Sequence, residues 1–371
     1  MTIRTQKLYF YLFIFIYWVV VINIISVIAI LSIKGFLSYA KIDVDSLNDP
    51  IAVYWISPSQ YLESFLFSFF LSILFIAVHE LSEKLRWDRL SFRRIILLKS
   101  AVYFIGLTII TLLIYEIIIF VGTFPGEEFS SVDWTPEMIL IIIFFAVYIA
   151  ILLLLLNFIV QTNKKIGHYE LISFLTGKYH TPVNEDRIFL FLDLTSSTAY
   201  AEELGNTKYS KLIKDCFDDL NYIVNRFEAE IYQYVGDEIV LTWKTPNGLR
   251  NNNFLKIFFA FESELDRRRD YYMKNYGVIP QFKAGINGGI VSVAEVGNIK
   301  REIAFHGDVI NTTSRIQGIC NRLGKKLLVS DQLMQRLNGT NSYKVEFLGK
   351  HQLRGKHEKV GLFAVEKPVQ G

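Results

Sequence analysis

Cysteine is nearly absent from this chain: Cys216 and Cys320 are the only two among 371 residues, and they lie far apart. That argues against a disulfide framework and a Cys-ligated metal, and for a reducing compartment. A basic stripe is also missing. Lys and Arg total 39 against 36 Asp and Glu, a formal net charge of +3, with no zinc-finger spacing. Nothing therefore marks a nucleic-acid polymer as a partner. Charge is scarcest before position 161, where most of the apolar residues sit. The whole chain is 51% hydrophobic and 15% aromatic, with 30 Phe, more apolar than a soluble domain of this length would be. No small-residue cleavage site follows the first apolar run, which is far longer than the roughly 7–15 residues of a signal-peptide core. A cleaved leader is the weaker reading.

Four apolar stretches are long enough to cross a bilayer, which takes about 20 residues. They run from Leu8 to Ile33, Tyr61 to Val78, Ile95 to Val121 and Met138 to Val160. The second is the weakest, because Glu63 and several serines interrupt it. Loop charges orient the bundle. Arg4 and Lys7 precede the first span; Lys84, Arg86, Arg89, Arg93 and Arg94 fill the second loop; Lys164 and Lys165 follow the fourth span. By contrast, the third loop, from Gly122 to Pro136, has no Lys or Arg and carries Glu127, Glu128 and Asp133, and the first is acidic at Asp43, Asp45 and Asp49. Both termini are expected on the cytoplasmic side of a cell membrane. Glu116, inside the third span, reads either as a functional carboxyl facing the bundle interior or as one close enough to the interface to reach water.

The expected organisation is a membrane domain over 1–162, a helical linker over 163–186 and a catalytic domain over 187–371. In the linker, Ile166, Tyr169, Leu171, Ile172 and Leu175 keep helical spacing. Either it is passive, or it pairs with its copy in a dimer and relays movement. Gly177 and Pro182 then break the pattern, and Asn184, Glu185 and Asp186 read as a polar hinge. Beyond it, strands are expected at Ile188–Leu192, Ile231–Val235, Ile239–Trp243, within Phe282–Val296, at Tyr343–Leu348 and at Gly361–Val365. Helices are expected at Tyr209–Phe227, Phe254–Tyr272 and Val309–Leu323. Strands and helices without strict alternation suggest an α+β domain.

Three segments carry chemistry. Asp193 ends the first strand and is followed by Leu-Thr-Ser-Ser-Thr leading into a helix. A carboxylate beside backbone N–H groups entering a helix suits a metal and a phosphate chain, though Asp is also a common helix cap. Asp237 sits in Tyr-Val-Gly-Asp-Glu, a hairpin where Gly-Asp is also ordinary turn chemistry. Together the two carboxylates can hold two divalent ions about 3.5–4 Å apart, as in-line phosphoryl displacement requires. In the run His-Gly-Asp-Val-Ile-Asn311-Thr-Thr-Ser-Arg315, Asn311 and Arg315 are four apart and share a helix face. There an amide can orient a ribose while a guanidinium neutralises an oxyanionic phosphorus.

Phe-Leu-Asp193-Leu-Thr-Ser-Ser-Thr, Tyr-Val-Gly-Asp237-Glu and the Asn311/Arg315 run together, in order over about Arg187 to Val365, resemble the class III adenylate/guanylate cyclases. The resemblance implies a ferredoxin-like βαββαβ core behind the four-helix transmembrane region. It also implies head-to-tail homodimers with active sites at the interface, and conversion of ATP, possibly GTP, to a cyclic monophosphate and pyrophosphate. Two Mg²⁺ or Mn²⁺ per site would be held by Asp193, the Leu194 backbone carbonyl and Asp237 of one chain. The other chain would supply Asn311 and Arg315. The nucleotide would be met by Thr195, Ser196, Ser197 and Thr198, by the base positions Gln233 and Ala304, and by Arg354 or Lys356 at the triphosphate. Family adenylate cyclases usually place Lys at position 233 and Asp or Thr at 304, and guanylate cyclases more often Glu and Cys. This chain has neither pair. ATP is favoured, because no carboxylate is present at either position to accept from the guanine edge. Weak discrimination is expected, since a site without base-reading groups cannot penalise the wrong base. A membrane receptor that binds nucleotide without turnover is the rival from another class, and a small transporter with a regulatory domain a more distant one.

Overall fold

The computed structural model describes residues 3–42, 57, 59–85, 87, 90, 92–121, 136–166, 176–299, 301–337 and 343–367. The chain divides into two compact units, Thr2–Leu154 and Leu155–Gly371, and each is described by itself. Residues 167–175 of the expected linker and most of the first and third loops lie outside the described residues.

The first unit is built from α1 (Ile3–Tyr39), α2 (Ser59–Lys84), α3 (Phe92–Val121) and the start of α4 (Pro136–Ile166). Among the described residues these four helices are long and apolar enough to cross a membrane. Their outward faces carry large apolar side chains such as Leu8, Phe104, Leu112 and Phe144, the reverse of a water-soluble bundle. The serines that weaken the second span turn inward. Ser64, Ser68 and Ser72 are buried. Ser64 Oγ donates to Asn23 Oδ1 of α1 at 2.9 Å, and Ser72 Oγ donates to the Ser68 carbonyl at 2.6 Å. Small residues with satisfied hydroxyls let helices approach closely where water is absent. Glu116 lies on the exposed side of α3 in this unit, so the interior-facing reading does not hold within one chain.

In the second unit, β1 (Val183–Leu194), α5 (Ser197–Val224), β2 (Glu230–Val235), β3 (Glu238–Lys244), α6 (Asn253–Arg267), α7 (Arg269–Tyr276) and β4 (Phe282–Val296) follow in order. Their sheet order is β2-β3-β1-β4, every neighbour antiparallel. This is the expected βαββαβ arrangement. Then come β5 (Glu302–His306), which pairs with β4, α8 (Asp308–Gly318), β6 (Leu327–Ser330), β7 (Lys344–His351) and β8 (Val360–Glu366). Strand β6 lies parallel to β4 and extends the sheet to β8 and β7. The main core packs α5 and α6 on one face through Leu212, Phe217, Leu220, Phe254 and Phe261, against Ile188, Leu190 and Leu192. A smaller cluster, Tyr179, Phe189, Phe191, Val240, Val291, Val293 and Ile303, fills the other face. Alternation along β1 thus serves two cores.

Three expectations need correction. Asn184 to Asp186 form no hinge: they belong to β1 and pair with Ser292, Val291 and Ile290 of β4. Their polar side chains are held, Glu185 by Lys178 and Arg187, and Asp186 by Arg336. The helix expected over Phe254–Tyr272 breaks at Arg268, whose φ of −99° and ψ of 17° end α6. The Arg268 guanidinium turns inward to the fully buried Asp219 of α5. Strands β5 and β6 were not foreseen; each is short, and their apolar runs are too brief for a periodicity to register.

Candidate active site

Antiparallel register builds the centre of the site. Asp193, at the end of β1, stands opposite Glu238 of β3 on one side and Lys283 of β4 on the other. Asp237 precedes Glu238 in the hairpin turn, where Gly236 takes a φ of 63° that a side chain would resist. The half-buried Asp193 carboxylate is already engaged. Its Oδ2 lies 3.2 Å from Lys283 Nζ and accepts from Gln317 Nε2 of α8 at 2.8 Å.

The electrostatics point to a deficit of positive charge. Burial pushes Asp193 above its ordinary value; Lys283 opposes this and the charge of Asp237 adds to it. Glu238 is pushed up to about 7, first by burial and then by repulsion from Asp193 and Asp237. Carboxylates that hold one another's pKa up are relieved by a cation. The oxygen donors fit Mg²⁺ or Mn²⁺ rather than a softer ion. No three His, Cys, Asp or Glu side chains converge as a ready cage among the described residues, so the carboxylates offer part of a coordination shell. The side chain of Leu194 is buried in the core, leaving only its backbone for the site.

The turn into α5 is shaped by Ser196, which adopts left-handed φ and ψ of 59° and 32°. Thr195 is not free to bind phosphate through its N–H, which donates to the Gln281 carbonyl at 2.8 Å. Ser197 and Thr198 open the helix, where first-turn N–H groups lack intrahelical acceptors. Ser197 also hydrogen-bonds Tyr209, whose pKa burial and Asp237 push up. Tyr209 therefore borders the carboxylates.

A second group forms around α8. Asn311 is exposed and Arg315 half-buried one turn on. A Cβ on Gly355 would lie 3.5 Å from Arg315 Nη2, so the turn at 354–356 covers the guanidinium. Lys356 Nζ donates to Asp308 Oδ2 at 2.6 Å and to Thr312 Oγ1 at 3.0 Å. That bond is the main reason the Asp308 carboxyl is held below its usual range. Lys356 is thus tied to the helix of Asn311 and Arg315, whereas Arg354 is exposed. The base positions lie on two other strands: Gln233 is exposed on β2 and Ala304 half-buried on β5. Their neighbours meet, with the Tyr232 and Phe305 rings 4.8 Å apart.

Sequence reasoning missed Glu238, Lys283, Gln317 and Tyr209. Glu238 adjoins a motif residue and so was within reach. Lys283 and Gln317 are 90 and 124 positions from Asp193, and only strand register and helix packing bring them there. Cys216 and Cys320 are free and buried. Burial pushes both thiols up, Cys320 to about 12, so neither is a thiolate at neutral pH.

Comparison with known proteins gives a consistent picture. The chain is 31% identical over 208 residues to adenylate cyclase 2 of Rhizobium meliloti (strain 1021), covering 56% of this chain and 57% of that protein. It is 22% identical over 183 residues to adenylate cyclase of Anabaena cylindrica, covering 48% and 36%. The chain thus spans about half or less of the length of each of these relatives. Among solved structures, the adenylyl cyclase CyaB from P. aeruginosa superposes with a TM-score of 0.45 at 17% identity, over 51% of this chain and 98% of that one. Residues 182–366 match the adenylate and guanylate cyclase catalytic domain, and through them this chain belongs to that family.

Proposed function

We propose that the chain is a membrane-bound nucleotide cyclase that converts ATP to cyclic AMP and pyrophosphate at the interface of a homodimer. The observation that carries this reading is the row of Asp193, Asp237 and Glu238, carboxylates short of positive charge at one sheet end of a cyclase-family domain. The relatives named adenylate cyclase support ATP as substrate. Gln233 and Ala304, matching neither purine pair, keep GTP as the alternative.

In the reaction, the ribose 3′-oxygen bonds to the α-phosphorus as the bond from phosphorus to the α,β-bridging oxygen breaks. The hydroxyl proton is released, and pyrophosphate leaves with the bonding electron pair. Two Mg²⁺ or Mn²⁺, held by Asp193, Asp237 and the Leu194 carbonyl, would acidify the 3′-hydroxyl and neutralise the departing charge. The first-turn N–H groups at Ser197 and Thr198, beside Ser196, hold the phosphates. From the partner protomer, Asn311 orients the ribose, Arg315 stabilises charge on the phosphorus oxygens, and Lys356 with Arg354 grips the triphosphate. Lys356 exchanges its bond to Asp308 for one to phosphate as it does so. The four apolar helices support a place in the membrane lipid of the cell, and the charge of the loops supports a catalytic domain on the cytoplasmic side.

The test is product formation by the purified full chain with ATP and Mg²⁺ or Mn²⁺. Cyclic AMP and pyrophosphate in equal amounts are expected, with none after chelation. Nucleotide binding without product would favour the receptor reading instead.

A further inference from the structure

Arg187 is a charge in the wrong place for an ordinary sheet residue. It lies in the middle of β1, and its side chain is 2% exposed. A buried guanidinium is tolerated only when fully paired, and here three elements pair it. Nε donates to Glu185 Oε2 at 2.8 Å, Nη1 donates to Glu230 Oε2 of β2 at 2.6 Å, and the guanidinium carbon lies 4.7 Å from the centre of the Phe305 ring of β5. Glu185 is fixed in turn by Lys178 Nζ at 2.7 Å and by the Tyr179 hydroxyl at 2.8 Å.

The strands so joined are not neighbours. Across the sheet the order is β2-β3-β1-β4, with β5 on β4, four spacings that would set β2 and β5 roughly 19 Å apart in a flat sheet. Instead the Tyr232 and Phe305 rings meet at 4.8 Å, and the Phe305 N–H faces the Tyr232 hydroxyl at 3.5 Å. Both strands fold over the same face of β1, and Arg187 forms the floor beneath them. Tyr232 is followed by Gln233, and Phe305 is preceded by Ala304.

We propose that Arg187 is a positioning residue for base recognition, pinning β2 through Glu230 and β5 through Phe305 so that the backbones at Gln233 and Ala304 keep a fixed separation around the purine. This rests on the cyclase reading of those two positions. Where side chains read the base poorly, backbone placement carries more of the selectivity, and misplacement of a supporting strand is felt in binding.

The experiment measures equilibrium binding of a non-reactive ATP analogue, the matching GTP analogue and pyrophosphate to the full-length protein, together with its melting temperature. The main variant is the triple Glu185→Gln, Arg187→Met, Glu230→Gln, which removes the cluster without stranding a buried charge, since Lys178 is 39% exposed. It is expected to melt near wild type and hold pyrophosphate within about twofold, while losing about tenfold in ATP-analogue affinity and changing the ATP-to-GTP ratio by at least about threefold. Arg187→Lys, which keeps the charge but not the planar contact with Phe305, is expected to show the same selective loss, and it alone decides if the triple variant fails to fold. Unchanged base-dependent binding in a folded variant overturns the proposal, as does equal weakening of nucleotide and pyrophosphate. If the wild type binds nucleotide but forms no cyclic product, the turnover reading fails while the binding ratios still decide Arg187. If it binds no nucleotide, both fall.

Discussion

Lys283 already occupies the position of a counter-ion, and its removal gives a direct test of the carboxylate site. Its ammonium lies 3.2 Å from Asp193 Oδ2, with the two side chains 14% and 21% exposed. Lys283→Met keeps the packed stem and deletes the charge. Two unit charges at 4 Å interact by about 1 kcal/mol in water and about 4 kcal/mol at an effective dielectric of 20. For this partly exposed pair about 1–2 kcal/mol is the reasonable range after solvent screening. A cation approaching Asp193 is repelled by Lys283 and must displace its contact, so the variant should bind Mn²⁺ roughly five- to thirtyfold more tightly. The opposing effect is protonation: without Lys283, Asp193 loses the influence that lowers its pKa. Titration calorimetry with Mn²⁺ should therefore be run at about pH 8, above the value of about 7 to which Glu238 is raised. Unchanged or weaker Mn²⁺ binding by a folded Lys283→Met protein would refute the idea that Asp193 belongs to a cation site.

The proposed shared site predicts complementation: Asp237→Asn and Arg315→Ala proteins should each be inactive, and mixed dimers should regain cyclic nucleotide synthesis at one site of two. Formation of mixed dimers without recovered activity would show that each chain carries a complete site. Arg268→Met would take the guanidinium from the fully buried Asp219, which also accepts from the Tyr272 hydroxyl at 2.7 Å, a loss of about 3–5 kcal/mol. In a domain of this size that is a fall of about 10 °C in Tm, and a change under about 3 °C would count against an essential pair. Burial alone would raise Glu185, but bonds from Lys178, Tyr179 and Arg187 bring it to about 2. Its folded pKa is lowered, so its stabilisation is present above about pH 4.5 and lost as pH falls toward 2. Glu185→Gln should flatten that part of the acid-unfolding curve. Finally, a Cβ on Gly285 would overlap the Gln317 backbone, so Gly285→Ala should push α8 off β4 and weaken Mn²⁺ binding through the lost Gln317–Asp193 bond.

The parts of the fold legible in the sequence share one property: their signal is local and periodic. The four long apolar helices, the hairpin at Gly236–Asp237 and the amphipathic α5 each declare themselves within a window of neighbours. What escaped was decided at a distance. The segment from Asn184 to Asp186 looks like a polar hinge because its side chains are charged. It is strand because β4 runs on to Val296 and offers it partners, and because Arg187 and Arg336 neutralise its carboxylates. The break at Arg268 has no local cause either; it follows from the demand of the buried Asp219 across the helix pair.

The site divides in the same way. Asp193, Asp237, Asn311 and Arg315 lie in short motifs, where a strand end or a helix turn aims each side chain, and they were named on that ground. Residues that set the electrostatics of those groups answer only to position in space. Lys283 and Gln317 reach Asp193 from a neighbouring strand and a helix on the sheet. Arg187 reaches β2 and β5 from a strand that borders neither. The consequence concerns the purine. A side-chain code at Gln233 and Ala304 would be readable from sequence, but the proposed one, held by backbone separation through Arg187, Glu230 and Phe305, is not. Exchanging Gln233 and Ala304 for the usual adenine-reading pair should therefore raise selectivity less in the background of the triple substitution than with the Arg187 cluster intact. Measured side by side as ATP-to-GTP binding ratios with and without the triple substitution, the two exchanges should be clearly non-additive, as coupled neighbours are.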